Sequence, residues 1–265
     1  MRTLVLAALA ALALTTSAAA QGTRPAAPAG GRGEGWRVQL SPYAWLPAAG
    51  GSVRPAARLP TFDTSLSMGD VLRDLDGAFF LHGTARRDRF LLLGDFSLAA
   101  LSKGERFSFP ELPLSIGIKG KVTQTSLTLA LGYSVVEEPD VTLDLLAGAR
   151  AWWIRASVRG DARLAPFFEG SAAGSASLSW VDPILGARLR WQLSPRWSLI
   201  GYADIGGFGA GSRFTWQILG TANYQVSDQV FLSAGYRHMS FDYRSGGRVL
   251  DLDMSGPLLG MTVRF

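Results

Sequence analysis

The sequence predicts an all-β protein, a transmembrane antiparallel up-and-down β-barrel of about ten strands, with eight or twelve as neighbouring counts. Three observations carry this. Apolar and polar residues alternate with period two over most of the chain after Trp36. The alternating segments are joined in turn by tight and by longer links. An exported amino terminus precedes them, and no later apolar run is long enough for a spanning helix.

The amino terminus has the three parts of a secretory signal peptide over residues 1–20. These are Arg2, the apolar run Leu4 to Leu14, and the small residues Ser17 to Ala20, with Ala18 and Ala20 as an A-x-A cleavage site. The run is too short to cross a hydrocarbon core, which needs about twenty residues. Residues 21–35 are rich in Gly, Pro and Ala without an apolar period, and read as a flexible periplasmic linker. Residues 36–265 then form one barrel domain.

Composition agrees. Hydrophobic residues make up 48% and charged residues only 18%, whereas a soluble enzyme carries about a quarter charged residues. The chain has no Cys, so a closed ladder or a large core has to hold an exported fold that no disulfide staples. Basic residues exceed acidic ones by 26 to 21 and are scattered. That distribution gives no patch for nucleic acid.

Strands are predicted near Trp36–Leu46, Gly77–Ala85, Phe90–Leu101, Ser115–Val136, Val141–Ser157, Ala176–Leu193, Trp197–Gly207, Phe214–Val226, Val230–Tyr243 and Leu250–Phe265. In the fifth, Val141, Leu143, Leu145, Ala147, Ala149, Ala151 and Trp153 suit lipid, while Thr142, Asp144, Gly148 and Arg150 suit water. Tight links at Arg86–Arg89, Glu137–Asp140, Ser194–Arg196 and Ser227–Gln229 read as periplasmic turns. The intervening links, long above all at Pro47–Asp76 and Arg159–Gly174 but short around Gly209–Ser212 and Ser245–Arg248, read as outer loops. Trp36, Phe90, Trp191, Trp197, Tyr224 and Phe265 fall at turn-side strand ends. Trp45, Trp153, Phe214 and Trp216 lie toward the loop side, so two interfacial aromatic belts are expected. Lipid offers no partner to an open sheet edge, so the first and last strands should pair. Pro42 and Pro183 cannot donate to a ladder, and a bulge or irregular pairing is expected at each.

Alternate apolar residues Leu259, Met261 and Val263 before a terminal Phe265 look like the C-terminal signal of outer-membrane barrels. The resemblance implies that the barrel assembly machinery reads it. From Trp36 to Phe265 the chain resembles an uncharacterised family of proteobacterial outer-membrane β-barrel proteins. The resemblance rests on Ser41-Pro42-Tyr43-Ala44-Trp45-Leu46-Pro47, Trp180-Val181-Asp182-Pro183-Ile184-Leu185-Gly186, Gly206-Gly207-Phe208-Gly209, Gly235-Tyr236-Arg237 and Ser255-Gly256-Pro257. His238 stands where the family pattern has an aromatic. What the resemblance implies is a fold and an outer-membrane location with lipid around it, not a reaction.

The candidate functional residues are inward-facing charges: Asp95, Asp144, Arg150, Asp182, Arg188, Arg190, Asp204, Arg237 and Arg264. Their near balance of sign favours a polar plug of ion pairs over an ion-selective constriction. Counting up from the turn-side ends pairs Asp144 with Arg190, Arg188 with Asp204, and Arg150 with Asp182. His82, facing inward with Thr84 and Arg86, and His238 are the two histidines, and no spacing forces a triad around either. Ser67 to Leu75 reads as a short loop helix with a capping box from Ser67 to Asp70. Asp63, Asp70, Asp74 and Asp76 match no calcium-loop spacing, and Gly206, Gly207 and Gly209 cradle no phosphate because no helix follows. No metal or cofactor is expected. The expected role is a structural barrel or a narrow passive channel for small solutes, not an enzyme; the rival is an embedded lipid- or peptide-processing enzyme.

Overall fold

The computed structural model of the chain describes residues 35–54, 57–58, 60–109, 114–164 and 168–265. The signal peptide and nearly all of the linker expected at 1–35 lie outside them. The elements in chain order are β1 (Arg37–Trp45), β2 (Ala48–Arg54), β3 (Phe62–Leu66), α1 (Met68–Asp74), β4 (Leu75–Arg87), β5 (Phe90–Phe109) and β6 (Leu114–Glu137). They continue with β7 (Val141–Leu164), β8 (Phe168–Gln192), β9 (Trp197–Gly206), β10 (Phe214–Gln225), β11 (Val230–Ser245) and β12 (Arg248–Arg264).

Ten of these strands close an antiparallel ring, in which β1 pairs with β4 on one side and β12 on the other, and β4 to β12 follow in sequence. Closure leaves no edge of the ring unpaired, which hydrocarbon demands. Side-chain parity follows the sequence pattern. Leu129, Leu131, Leu145, Val181, Leu185, Ile218, Leu232 and Leu259 stand exposed on the outer face. On the inner face of β7, Asp144, Leu146, Arg150 and Trp152 are buried.

All ten expected strands are present, but the outer links differ. The loop expected at Pro47–Asp76 contains the β2–β3 hairpin, which continues the edge of β1 along the upper part of β12 through pairs such as Ala48 with Ser255. The same link holds α1, capped as expected: the Ser67 hydroxyl accepts from the Asp70 amide, and the Asp70 carboxylate accepts from the Ser67 amide. The loop expected at Arg159–Gly174 is largely strand. β7 and β8 stay paired to Leu164 and Phe168, because backbone pairing needs no apolar alternation once a ladder has been started, and the Gly-, Ala- and Ser-rich stretch there gives none.

Neither proline makes a bulge. The β1–β4 register runs unbroken through Pro42, and the β7–β8 register through Pro183. The irregular pairing expected at each proline falls on its other side, where its missing N–H is not needed. The β1–β12 ladder is interrupted beside Pro42, and the β8–β9 ladder starts only after Pro183. Register shifts occur at Leu75/Gly77 and Ser134/Val136.

At the ring's closure β12 crosses the break between β1 and β2, where the Leu46 amide donates to the Pro257 carbonyl at 3.1 Å. A Cβ on Gly256 would lie 2.0 Å from the Leu46 carbonyl oxygen, so only glycine permits this approach. Gly256→Ala is expected to lower the urea midpoint of the folded barrel in detergent by the equivalent of about 1–3 kcal/mol, the usual cost of overpacking. An unchanged midpoint would show that the seam yields freely.

Most of the aromatics expected in the belts face outward, with one exception. Trp36, Phe90, Trp153, Trp191, Trp197 and Phe214 are exposed on the outside. Trp197 packs on Tyr224, and Trp216 on His238, whose ring therefore also lies on the outer face. Trp45 is not interfacial: it is 6% exposed and belongs to the interior cluster. Parity explains this, since Trp45 shares its face of β1 with Gln39, Ser41 and Tyr43, all of which line the lumen.

Candidate functional site: the closed lumen

Three layers of side chains fill the lumen. The middle layer is a polar belt that crosses it from wall to wall. On one side the Arg150 guanidinium donates to Thr128 Oγ1 at 3.0 Å and to Asp204 Oδ2 at 2.6 Å, and the Gln217 amide donates to the same carboxylate oxygen at 2.6 Å. Arg237 Nε donates to Gln217 Oε1 at 3.0 Å, and its Nη1 to the Tyr43 hydroxyl at 3.0 Å. Tyr43 in turn donates to Asp95 Oδ2 at 3.1 Å, and His82 Nδ1 stands 3.5 Å from the same oxygen. The belt thus runs through β6, β7, β9, β10, β11, β1, β5 and β4. Arg150 and Asp204 have side chains with no exposure at all, a placement tolerable only because each charge meets the other.

Above the belt, toward the loop side, lies an aromatic seal. Trp152 stacks on Trp180 with ring centroids 5.7 Å apart, Phe241 fits against Trp152 at 4.8 Å, and Tyr243 stacks on Trp180 at 4.2 Å. Trp45 and Phe80 complete it from the opposite wall, and the Arg237 guanidinium lies over the Trp45 ring at 4.9 Å, joining seal to belt. Trp152 is fully buried, and Met239 and Phe241 are 1% exposed.

Asp182 fastens the seal to the β9–β10 loop. Its carboxylate accepts from Trp152 Nε1 at 3.1 Å, Trp180 Nε1 at 3.0 Å, the Ser212 amide at 2.6 Å and the Ser212 hydroxyl at 2.9 Å. The loop reaches it through left-handed turns at Gly207 (φ 83°) and Gly209 (φ 80°). The segments around Trp180–Gly186 and Gly206–Gly209 are therefore two halves of one latch. In the same way, the segments around Tyr43, Arg237 and Gly256 meet at the belt and the seam beside it.

Below the belt is a cavity of about 120 Å³ whose lining mixes polar residues, among them Gln39, Ser41, Thr84, Asn223, Ser233 and Thr262, with Leu93, Ile200, Leu219 and Leu258. At its turn-side end Asp144 accepts from Arg86 Nη2 at 2.6 Å and from Ser134 Oγ at 2.7 Å, and Arg188 Nη1 reaches it at 3.4 Å. Arg190 donates to Gln192, and Arg264 lies on the Phe231 ring at 4.5 Å.

All nine sequence-predicted charges point inward, but the three expected pairs are replaced by others. Asp144 binds Arg86 and Arg188 rather than Arg190, because the register sets Asp144 opposite Arg188 and Thr142 opposite Arg190. Asp204 lies opposite Gly186, and Arg188 opposite Tyr202, so Arg188 and Asp204 do not pair. The first miss is the two-residue stagger between tilted neighbours that counting from turn ends ignores, and the second follows from the β8–β9 hairpin, whose turn pairs Gln192 with Ser198 and so Arg188 with Tyr202. Arg150 and Asp182 are opposite in register, yet Asp182 already has four donors and Arg150 extends to Asp204 instead. Sequence reasoning also missed Arg86, Tyr43 and Gln217 as network members and Ser212 as a latch. Parity alone places the first three on the inner face; nothing in the local sequence marks Ser212. Among the described residues no group of His, Asp and Glu could hold a metal ion.

No family model matches the sequence, and no curated protein matches it. Solved structures do. The outer membrane protease OmpT from Escherichia coli shares the architecture with a TM-score of 0.56 at 11% identity, over 87% of this chain and 96% of that one. The translocator domain of the autotransporter NalP from Neisseria meningitidis aligns with a TM-score of 0.39 at 14% identity over 88% and 90% of the two chains. Ail of Yersinia pestis aligns with 0.31 at 14% over 88% and 99%. At these identities the likeness to OmpT extends to the fold alone, that of an outer-membrane β-barrel.

Proposed function

We propose that this chain is exported by its signal peptide to the outer membrane, where it is a structural, non-enzymatic barrel with a closed lumen. One observation carries the reading: the Arg150–Asp204 belt and the Trp152 seal lie one above the other across the lumen, and both are buried. An ion would have to strip its hydration and part a desolvated charge pair to pass. Lipid covers the outer apolar face, and the assembly machinery reads Leu259, Met261, Val263 and Phe265, all of which lie on that face.

The channel reading would need a water path through the belt. Single-channel recording in a planar bilayer tests this directly. The purified protein is expected to be silent, while the double variant Trp152→Ala/Phe241→Ala opens discrete conductance steps. Steady steps from the unaltered protein would overturn the closed-barrel reading. An embedded enzyme has one observation in its favour, since Ser41, His82 and Asp95 lie opposite one another on β1, β4 and β5. His82 Nδ1 stands 3.5 Å from Asp95, but the remaining bonds point elsewhere. The Ser41 hydroxyl is engaged with Thr262 at 2.6 Å, and Asp95 with Tyr43 and Arg237, so the arrangement resembles a lumen network more than a nucleophile and its base.

A further inference from the structure

The turn-side mouth of the lumen carries more positive charge than its partners neutralise. Arg37, Arg86, Arg188, Arg190 and Arg264 all occupy inward positions there: Arg37 in the row of Gln39 and Ser41, Arg86 in that of Thr84, Arg188 and Arg190 in that of Asp182, and Arg264 in that of Thr262. Asp144 satisfies Arg86 and Arg188 and is fully buried by them. The charges of Arg37, Arg86 and Arg264 act on Arg190, whose one side-chain partner among the described residues is the neutral Gln192. Arg264 Nε is buried without a hydrogen-bond partner among the described residues. The carboxylate of Asp228, in the β10–β11 turn, acts on Arg264 from outside and forms no ion pair with it among the described residues.

Unpaired buried donors are rare in folded proteins, and a cluster of like charges without counter-charge destabilises the fold that holds it. Both conditions are relieved at once by an oxyanion, whose geometry matches the forked guanidinium. The cavity of about 120 Å³ reaches this end of the lumen at Arg188, and Arg37 is exposed, so a small solute can approach the cluster from the turn side.

We propose that the turn-side vestibule is a binding site for a soluble phosphate-bearing anion, held by Arg190 and Arg264 and assisted by Arg37 and Arg86. A soluble source fits better than a lipid headgroup because these side chains point into the lumen and away from the lipid-facing wall. Together with the closed belt, the site makes a blind anion-binding cup rather than a pore.

The test uses the full folded chain in neutral detergent at constant ionic strength, titrated calorimetrically with inorganic phosphate against chloride. Saturable binding is expected, together with a rise in the urea midpoint that phosphate gives and chloride does not. The double variant Arg190→Gln/Arg264→Gln is expected to bind at least tenfold more weakly and to lose the phosphate-dependent rise. Its midpoint without phosphate should equal or exceed that of the unaltered protein, because repulsion has been removed. Arg106→Gln, on the loop-side extension beside Asp161, should change neither. Absence of saturable binding and of a phosphate-specific midpoint rise in the unaltered protein overturns the proposal whatever the variants do. So does equal affinity in the double variant, or binding that appears only with phosphatidic acid micelles and not with inorganic phosphate.

Discussion

Arg150→Ala is expected to destabilise the barrel by about 3–5 kcal/mol, the cost of breaking a buried ion pair from one side. Arg150 and Asp204 are both wholly shielded and lie 2.6 Å apart. Removing the guanidinium leaves the Asp204 carboxylate in the middle of the lumen with Gln217 as its one remaining hydrogen-bond donor among the described residues. Thr128 loses its partner as well. The loss should be much smaller in Arg150→Met/Asp204→Leu, because replacing both members by apolar groups of similar volume removes the desolvation cost together with the attraction. Urea-unfolding midpoints of the two variants in the same detergent check this. If the single variant were as stable as the double, the belt would be a solvated feature rather than a dry one.

The second large effect concerns Asp182. In Asp182→Ala four donors lose their acceptor together: two indole N–H groups, the Ser212 amide and the Ser212 hydroxyl. Each unsatisfied buried donor costs about 1–3 kcal/mol. The Trp180 indole keeps the Ser212 hydroxyl as an alternative acceptor at 2.9 Å, which offsets part of the loss. A net destabilisation of about 3 kcal/mol or more is expected, with the β9–β10 loop released from the seal. Two readouts report it: a lower unfolding midpoint, and faster amide hydrogen exchange at Ser212 and its neighbours. Asp182→Asn keeps the shape and one acceptor oxygen, and should fall between the two. A destabilised protein whose Ser212 amide stayed protected would place the loss in the indole bonds alone.

The fold and the facing of its side chains were legible in the sequence because a strand has a period of two. On β7 the parity of Asp144, Arg150 and Trp153 follows from counting. The same rule was sufficient to put Trp45 inside with Tyr43; position along the strand, taken as a depth marker, pointed to an interface instead. The extended outer strands were not legible. From Ser157 to Ala176 Gly, Ala, Ser and charged residues predominate and the few large apolar ones do not alternate, so a ladder propagated by its neighbours leaves no amphipathic trace.

By itself, then, the sequence determined that the strands alternate, that apolar residues line one face of each, and that charges line the other. These are local properties, set by backbone geometry and solvent on two sides of a sheet. The tertiary structure decided which charge meets which. Partner choice depends on the stagger between tilted neighbours and on the curvature that brings facing walls within reach of one another. A two-residue stagger gives Asp144 to Arg188, and reach across the narrow lumen gives Asp204 to Arg150. Neither quantity is encoded at any single position, because both arise only when the ring closes.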